Sequence, residues 1–378
     1  MLNNISERKL IYFLLCAGMV TINFNLAAIA AVIPTISAEF GITDVETSRI
    51  VTFYMIPYGL GALGYGWLTR YLTYRAVLGG SLALYAVCAL FCGLTKSFGM
   101  LLVGNVGMGL TAAGAIPLGL MVIGDLFEKD VRGRLVGAFF GCGFMASLTG
   151  ILLSGVAPWR TLFYLPAVAG VLTVACLILL PMKDLSRVHD SPVNYWRVFH
   201  EPRIRNVFMF IFAMSFLYHG VHKWYGVYLS QIYQLDKAAI SLFFTVAAVS
   251  GASGQLVGGW ITDKKGRRAA CRAGALFLAL ATMALAGKYP LLLLGAIMAV
   301  LSLGWTINHN GVSTVLTDFP EEDRPMIAGL NSALRFASGG LGFYLSGFFV
   351  EKSFSLTFLT MGVLMFVSSL FLKYVIAE

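Results

Sequence analysis

The residues of this chain whose types and spacing could do chemistry lie inside its apolar runs. Arg335 sits about ten residues into the run 326–349, about 15 Å along a helix at 1.5 Å per residue. Asn331 lies one turn before it, on the same face. A guanidinium presents a planar fork of donors that matches a carboxylate or a phosphate. His219, His222 and Lys223 are spaced i, i+3 and i+4, so they share one helix face. Histidine is the side chain that titrates near neutral pH without perturbation. His219, His222 and His309 are therefore the candidate proton carriers. None of the 18 acidic residues lies in the middle of an apolar run, so a cavity lined by these groups repels cations and attracts anions. The candidate ligand set is Arg335, Asn331, Asn23, Tyr58, Tyr218, His219, His222, Lys223, Asn308 and Asn310.

Each of these has a structural alternative. Lys223 lies towards one end of its run and could snorkel to the surface. The histidines could be neutral and hydrogen-bonded between helices, and Arg335 could bond helix-end carbonyls or a neighbouring asparagine. The tyrosines Tyr54, Tyr58, Tyr218, Tyr225 and Tyr228 could serve packing or an interfacial belt. A histidine pair without a carboxylate or a cysteine is a poor metal site, so neither a metal nor a cofactor is expected, and no residue is nominated as catalytic.

The elements that position these residues follow from composition. Of the 378 residues 58% are hydrophobic and 12% charged, about half the charged share of a soluble domain. One soluble core cannot hide so much apolar surface, so lipid is the solvent and the class is an all-α membrane protein. Apolar segments recur at 9–33, 47–68, 76–95, 99–124, 135–156, 161–182, 205–229, 238–261, 269–287, 290–316, 326–349 and 354–374, twelve transmembrane helices in all. The opening run is too long for a secretion signal and reads as an uncleaved first helix. The polar stretch 183–204 divides the chain into a six-helix bundle at 1–182 and another at 205–378.

An even number of spans puts both termini on one side. That side carries 19 of the lysines and arginines and the other side six, which makes the termini cytoplasmic in a multi-pass protein of the plasma (inner) membrane. The same rule accounts for the net charge of +9, so no nucleic-acid partner is expected. The six cysteines show no CxxC or Cys/His cluster and read as free thiols.

The chain repeats itself. Gly66-Trp-Leu-Thr69 returns as Gly259-Trp-Ile-Thr262, and Asp125-Leu-Phe-Glu-Lys-Asp130 as Asp318-Phe-Pro-Glu-Glu-Asp323, both about 193 residues on. Leu153-Ser-Gly155 returns as Leu345-Ser-Gly347, with Gly150 matching Gly342. Three matches at one spacing, each at an equivalent point of a six-helix unit, argue for duplicated halves in parallel topology. Spans 3, 6, 9 and 12 contain no charged residue and no Asn, Gln or His, while the polar residues gather in spans 1, 4, 7, 8, 10 and 11.

The segment Gly259-Trp-Ile-Thr-Asp263-Lys-Lys-Gly266-Arg267-Arg268 resembles the signature of the major facilitator superfamily between helices 2 and 3, in its echo between helices 8 and 9. The resemblance covers essentially the whole chain, including the long central loop and Trp159-Arg160 at the start of span 6. It implies two six-helix bundles related by a pseudo-two-fold axis, with helices 3, 6, 9 and 12 outside. In the first half Arg70 stands in the aspartate's place and Thr73 in that of the second glycine. The helix 4 arginine and the helix 5 glycine-proline signature of drug:proton antiporters are absent, replaced by Asn105-Val-Gly-Met-Gly109 and Ser147-Leu-Thr-Gly150.

The resemblance implies a secondary transporter, not an enzyme, expected as a monomer in the lipid bilayer. Its substrate is a small anionic or zwitterionic molecule with protons as candidate co-substrate. Proton-coupled efflux of drugs or metabolites, and lipid flipping, remain as alternatives. The altered motif also implies a charge-swapped latch. Arg70 or Arg75 is expected to meet Asp318, Glu321, Glu322 and Asp323 when the cytoplasmic side closes, and Asp263, beside Arg267, to meet Arg132 or Arg134 in the other half.

Overall fold

Polar caps mark where apolar helices start. Thr43 accepts from the Glu46 amide at the start of the second span, Asp236 from Ala239 at the eighth, and Ser353 from Leu356 at the twelfth. Gly266, with φ +84°, ends the eighth span where a Cβ would be strained. The computed structural model describes residues 5–180, 194–316, 318–319 and 323–376, and among them there is no strand.

Twelve spans result. Span 1 is Ile5–Leu26 and Ala28–Ala31, continued by Ile33–Phe40; span 2 is Asp44–Tyr71, span 3 Tyr74–Leu94, and span 4 Phe98–Ala112 with Ala115–Leu126. Span 5 is Lys129–Val156 and span 6 Thr161–Leu179. After a short helix at Tyr195–His200 come span 7 (Pro202–His222 and Tyr225–Tyr233), span 8 (Lys237–Lys265), span 9 (Arg267–Ala284), span 10 (Leu291–Leu316), span 11 (Arg324–Val350) and span 12 (Phe354–Leu370). Eight of these stretches are long and apolar enough to cross a membrane on hydropathy and length alone. Spans 2, 9 and 11 are more polar and span 12 is shorter, and the fold completes the set.

Helices in lipid associate through small residues that let backbones approach, because lipid supplies no hydrophobic drive between them. The duplication is visible in this packing. A Cβ on Gly150 of span 5 would lie 1.8 Å from the Phe24 carbonyl oxygen of span 1. A Cβ on Gly342 of span 11 would lie 2.0 Å from the Phe216 carbonyl oxygen of span 7. Both members of the second pair stand 192 residues after those of the first, so the two halves repeat one backbone contact.

The halves meet along two seams. Span 2 presses on span 11 at Gly59, where a Cβ would come within 2.6 Å of the Ala333 carbonyl oxygen. Span 5 meets span 8 at Gly155, against Ser241. At the end of the bundle that carries the termini, Arg268 donates to the Ile376 carbonyl, at 2.9 Å from Nε and 2.6 Å from Nη2. The opposite end, holding Thr43–Asp44 and Val156–Arg160, is called the far end below.

Candidate functional site

Spans 7, 10 and 11 bring the sequence candidates together mid-bundle. Ser215 on span 7 donates through Oγ to the Arg335 carbonyl of span 11 at 2.7 Å. One turn on, His219 Nδ1 lies 2.9 Å from the Ser215 carbonyl and 3.3 Å from its hydroxyl. Arg335 donates from Nε to Asn331 Oδ1 at 2.7 Å, one turn away as their spacing requires. Its Nη2 is buried and has no hydrogen-bond partner. The ion pairs among the described residues are Glu39–Arg160, Arg197–Asp323 and Arg267–Asp318, so none engages Arg335. Nor do the described residues contain a group of three or more His, Cys, Asp or Glu placed to hold a metal.

A cluster of rings packs beside the Ser215–Arg335 contact. Tyr218 lies flat on Trp305 of span 10, with centroids 4.0 Å apart and planes within 1°. His222 stacks along Tyr218 at 5.0 Å, His219 meets Trp305 edge-on at 5.7 Å, and His309 follows Trp305 one turn later at 6.0 Å. Phe336, next to Arg335, stacks on Tyr58 of span 2 at 3.8 Å and so joins the halves at this level. Trp305 and Phe336 were not among the sequence candidates. A tryptophan in the interior of a span, one turn before His309, was the available signal for the first.

Apart from Asn331, the side-chain amides of the spans bond to groups other than the arginine. Asn308 donates to the Cys271 carbonyl of span 9 at 2.9 Å, and Asn310 to the Gln255 side chain of span 8 at 3.4 Å. Asn23 donates to Met19 of its own helix, and Asn105 to Leu101 of its own. Asn25 accepts from Tyr85 at 3.2 Å. Each stays within its own half of the chain.

Lys223 does not snorkel. It is buried at the break of span 7 and donates to the Leu26 carbonyl at 3.4 Å, where the first helix of span 1 ends. A helix C-terminus carries partial negative charge, which suits an ammonium. This contact ties the two halves together, and others lie near it. Gln231 donates to Asp44 at 2.7 Å, Ser241 to the Ile151 carbonyl at 2.7 Å, Lys237 to the Val156 carbonyl at 3.4 Å, and Thr52 to the Gly340 carbonyl at 3.5 Å. All of these lie in the half of the bundle towards the far end. On the other side Tyr195, in the short helix, donates to the Leu63 carbonyl at 3.1 Å.

The expected latch groups have other partners here. Asp318 pairs with Arg267, joining the loop after span 10 to that before span 9, and Asp323 pairs with Arg197 of the short helix. The first pair lies within the second half, and the second ties the short helix before span 7 to it. Arg75 donates to the Ile178 carbonyl at 3.2 Å, and Arg132 to the Phe127 carbonyl at 2.6 Å. Asp263 is exposed at the end of span 8. The Arg70 side chain, Glu321 and Glu322 lie outside the described residues.

Comparison with known proteins adds a family to this geometry. The profile of the Major Facilitator Superfamily matches residues 13–321 and 224–378. A probable L-galactonate transporter of Escherichia coli (strain K12) is 27% identical over 258 residues, 61% of this chain and 56% of its own. Citrate exporter 1 of Aspergillus niger is 28% identical over 176 residues, 46% of this chain and 34% of its own. The chain thus spans about half or less of the length of these curated relatives. The structure of a bacterial homologue of the human lysosomal transporter Spinster superposes with a TM-score of 0.81 at 15% identity, covering 99% of this chain and 97% of that one. The xylose transporter XylE from E. coli gives 0.76 at 14% identity, covering 99% and 98%. At such identities these two likenesses speak for the fold alone.

Proposed function

The chain belongs to the Major Facilitator Superfamily, and from that premise we propose that it is a secondary transporter moving a small organic anion across a membrane by alternating access. The observation that carries this reading is Arg335, whose Nη2 is buried without a partner and whose guanidinium has no carboxylate paired to it among the described residues. A charge in that position calls for a counter-charge, and a carboxylate matches its fork. The relatives named for galactonate and citrate support the choice, since both named molecules are organic carboxylates.

Residues 1–182 and 205–378 are the two bundles that rock against each other, with 183–204 as the linker. The bonds between halves gathered near the far end support a state closed there, and reopening must break Lys223–Leu26, Gln231–Asp44 and Ser241–Ile151. The excess of basic residues at the terminal end supports cytoplasmic termini in a plasma membrane. If protons drive the cycle, His219, His222 and His309 carry them, since no mid-span carboxylate is available.

The test is thermal unfolding of the purified protein with a panel of organic anions, cations and neutral solutes, repeated on Arg335→Gln. A hydrogen bond to a charged group is worth about 1.5–3 kcal/mol, so the variant should bind its anion about 10–150-fold more weakly and lose most of the ligand's stabilisation. An anion that stabilises both proteins equally refutes the role of Arg335. Stabilisation by cationic drugs alone would move the reading to drug efflux.

A further inference from the structure

We propose that the groove between spans 3 and 6, at the terminal end of the bundle, binds an anionic phospholipid, with one acyl chain in the groove and the phosphate on Arg75. The two helices pack closely from mid-span to the far end. A Cβ on Gly170 would lie 3.0 Å from the Ala86 Cβ, and one on Gly93 would overlap the Tyr164 ring. Towards the terminal end this packing stops. A Cβ on Gly79 would meet only Leu177, at 3.8 Å, and one on Gly80 would meet nothing within 4 Å. The helices part there and leave a cavity of about 420 Å³ between Arg75, Gly79, Gly80 and Ala83 on span 3 and Val174 and Ile178 on span 6. Gly80 and Ile178 are exposed, so the cavity opens on the outer face of the first half. It is separate from Arg335 and does not depend on the anion reading.

The surroundings decide the occupant. Apart from Thr73 and Arg75 the lining is apolar, and it faces hydrocarbon, where an unfilled hollow forfeits dispersion contacts. From Arg75 to Ala83 is about 12 Å at 1.5 Å per residue, most of the hydrocarbon depth of one leaflet, about 15 Å. An acyl chain fits that length with its head group at the Arg75 end.

Arg75 supplies the charge complementarity. It stands at the mouth of the groove and crosses to span 6, donating from Nη2 to the Ile178 carbonyl at 3.2 Å. A guanidinium carries five donors in a planar fork, so it can hold that carbonyl and a phosphate oxygen together. A basic pocket between spans at the membrane surface selects anionic head groups, and one basic residue gives a preference of about fivefold over a zwitterionic lipid.

The experiment places the full chain in phosphatidylcholine bilayers that carry, as tracer, phosphatidylglycerol with a photoactivatable acyl chain or its phosphatidylcholine counterpart. Labelled peptides are read by mass spectrometry. Phosphatidylglycerol should label 76–83 and 174–178 about fivefold more than phosphatidylcholine does, and Arg75→Gln should bring the two to equality. Gly80→Leu, whose side chain enters open space, should lower labelling of 174–178 by both lipids severalfold. Labelling at Leu256, exposed on span 8, should stay unchanged in both variants and shows that the bundle is intact. If the leucine variant does not fold, Arg75→Gln at the surface still decides. Equal labelling by the two lipids in wild type overturns the inference. So does phosphatidylglycerol labelling of the groove that is undiminished in Arg75→Gln or in Gly80→Leu.

Discussion

Substituting alanine at the two symmetry-related glycines tests whether the duplicated halves rest on one contact. The Gly150 Cβ would stand 1.8 Å from the Phe24 carbonyl oxygen and the Gly342 Cβ 2.0 Å from that of Phe216. Real Cβ contacts essentially never fall below 3.0 Å, so the helices of each pair must part by about an ångström. The atoms in the way are backbone, which cannot rotate aside. A gap of about 1 Å forfeits a quarter to a half of the dispersion well along the seam, and overpacking costs about 1–3 kcal/mol, here towards the upper end. Alanine returns about 1 kcal/mol of helix propensity. The net loss is about 2 kcal/mol per site, roughly a thirtyfold shift in the equilibrium. The two sites lie in different halves, so Gly150→Ala/Gly342→Ala should lose about the sum of the two. Gly137, on the same helix as Gly150, has nothing within 4 Å of a built Cβ, and Gly137→Ala should be neutral or slightly stabilising. Thermal unfolding of the four variants beside wild type in one detergent decides. If Gly150→Ala and Gly342→Ala both behave like Gly137→Ala, the shared contact does not hold the bundles and the reasoning fails.

Three further outcomes can be checked. Burial pushes the Glu39 carboxyl up, but the hydrogen bonds from Trp159 and Arg160 and the Arg160 charge outweigh it and hold the group below its ordinary value. Its contribution should be complete above about pH 4.3 and fade as pH falls through the lowered value; for so exposed a pair it is about 0–1 kcal/mol. The unfolding-temperature gap between wild type and Glu39→Gln should therefore be flat from pH 7 to 5 and close below, whereas a gap that widens on acidification contradicts the sign. Across the far-end seam, Gly155→Cys with Ser241→Cys should form a disulfide under mild oxidant, holding the halves together after proteolysis in the linker and stopping transport until reduced. Uphill transport on a pH gradient should vanish when His219, His222 and His309 are all glutamine, and persistence of that transport excludes them as carriers.

The fold was legible because lipid imposes a length on each helix and the duplication leaves its mark at fixed offsets. Most predicted ends fall within a few residues of the helices, because the polar breaks between apolar runs include caps such as Thr43, Asp236 and Ser353, which were not read as such. Breaks in spans 1, 4 and 7 were not predicted. Gly114 stands in the break of span 4 and Pro34 just after the second break of span 1, whereas Lys223 carries no breaker signature, and Gly226 beyond it packs closely on Ala30.

The places of the polar residues along the spans were legible and the directions of their side chains were not. Periodicity places Asn308 and Asn310 inside a span, but the two lie 200° apart around the helix and bond to different neighbours, Cys271 on span 9 and Gln255 on span 8. A count of polar residues therefore suggests a cavity rich in amides, although those amides are spent on helix–helix contacts. Lys223 shows the same ambiguity, since its position near one end of an apolar run equally suits snorkelling and burial. The facing break of span 1, which exposes the Leu26 carbonyl, decides for burial. Arg335 stands apart because its spacing from Asn331 satisfies Nε alone and leaves Nη2 without a partner among the described residues. In an apolar medium an unmatched guanidinium is costly, and this chain retains one at the junction of its two bundles. On the anion reading proposed above, a substrate carboxylate would supply the missing acceptor there.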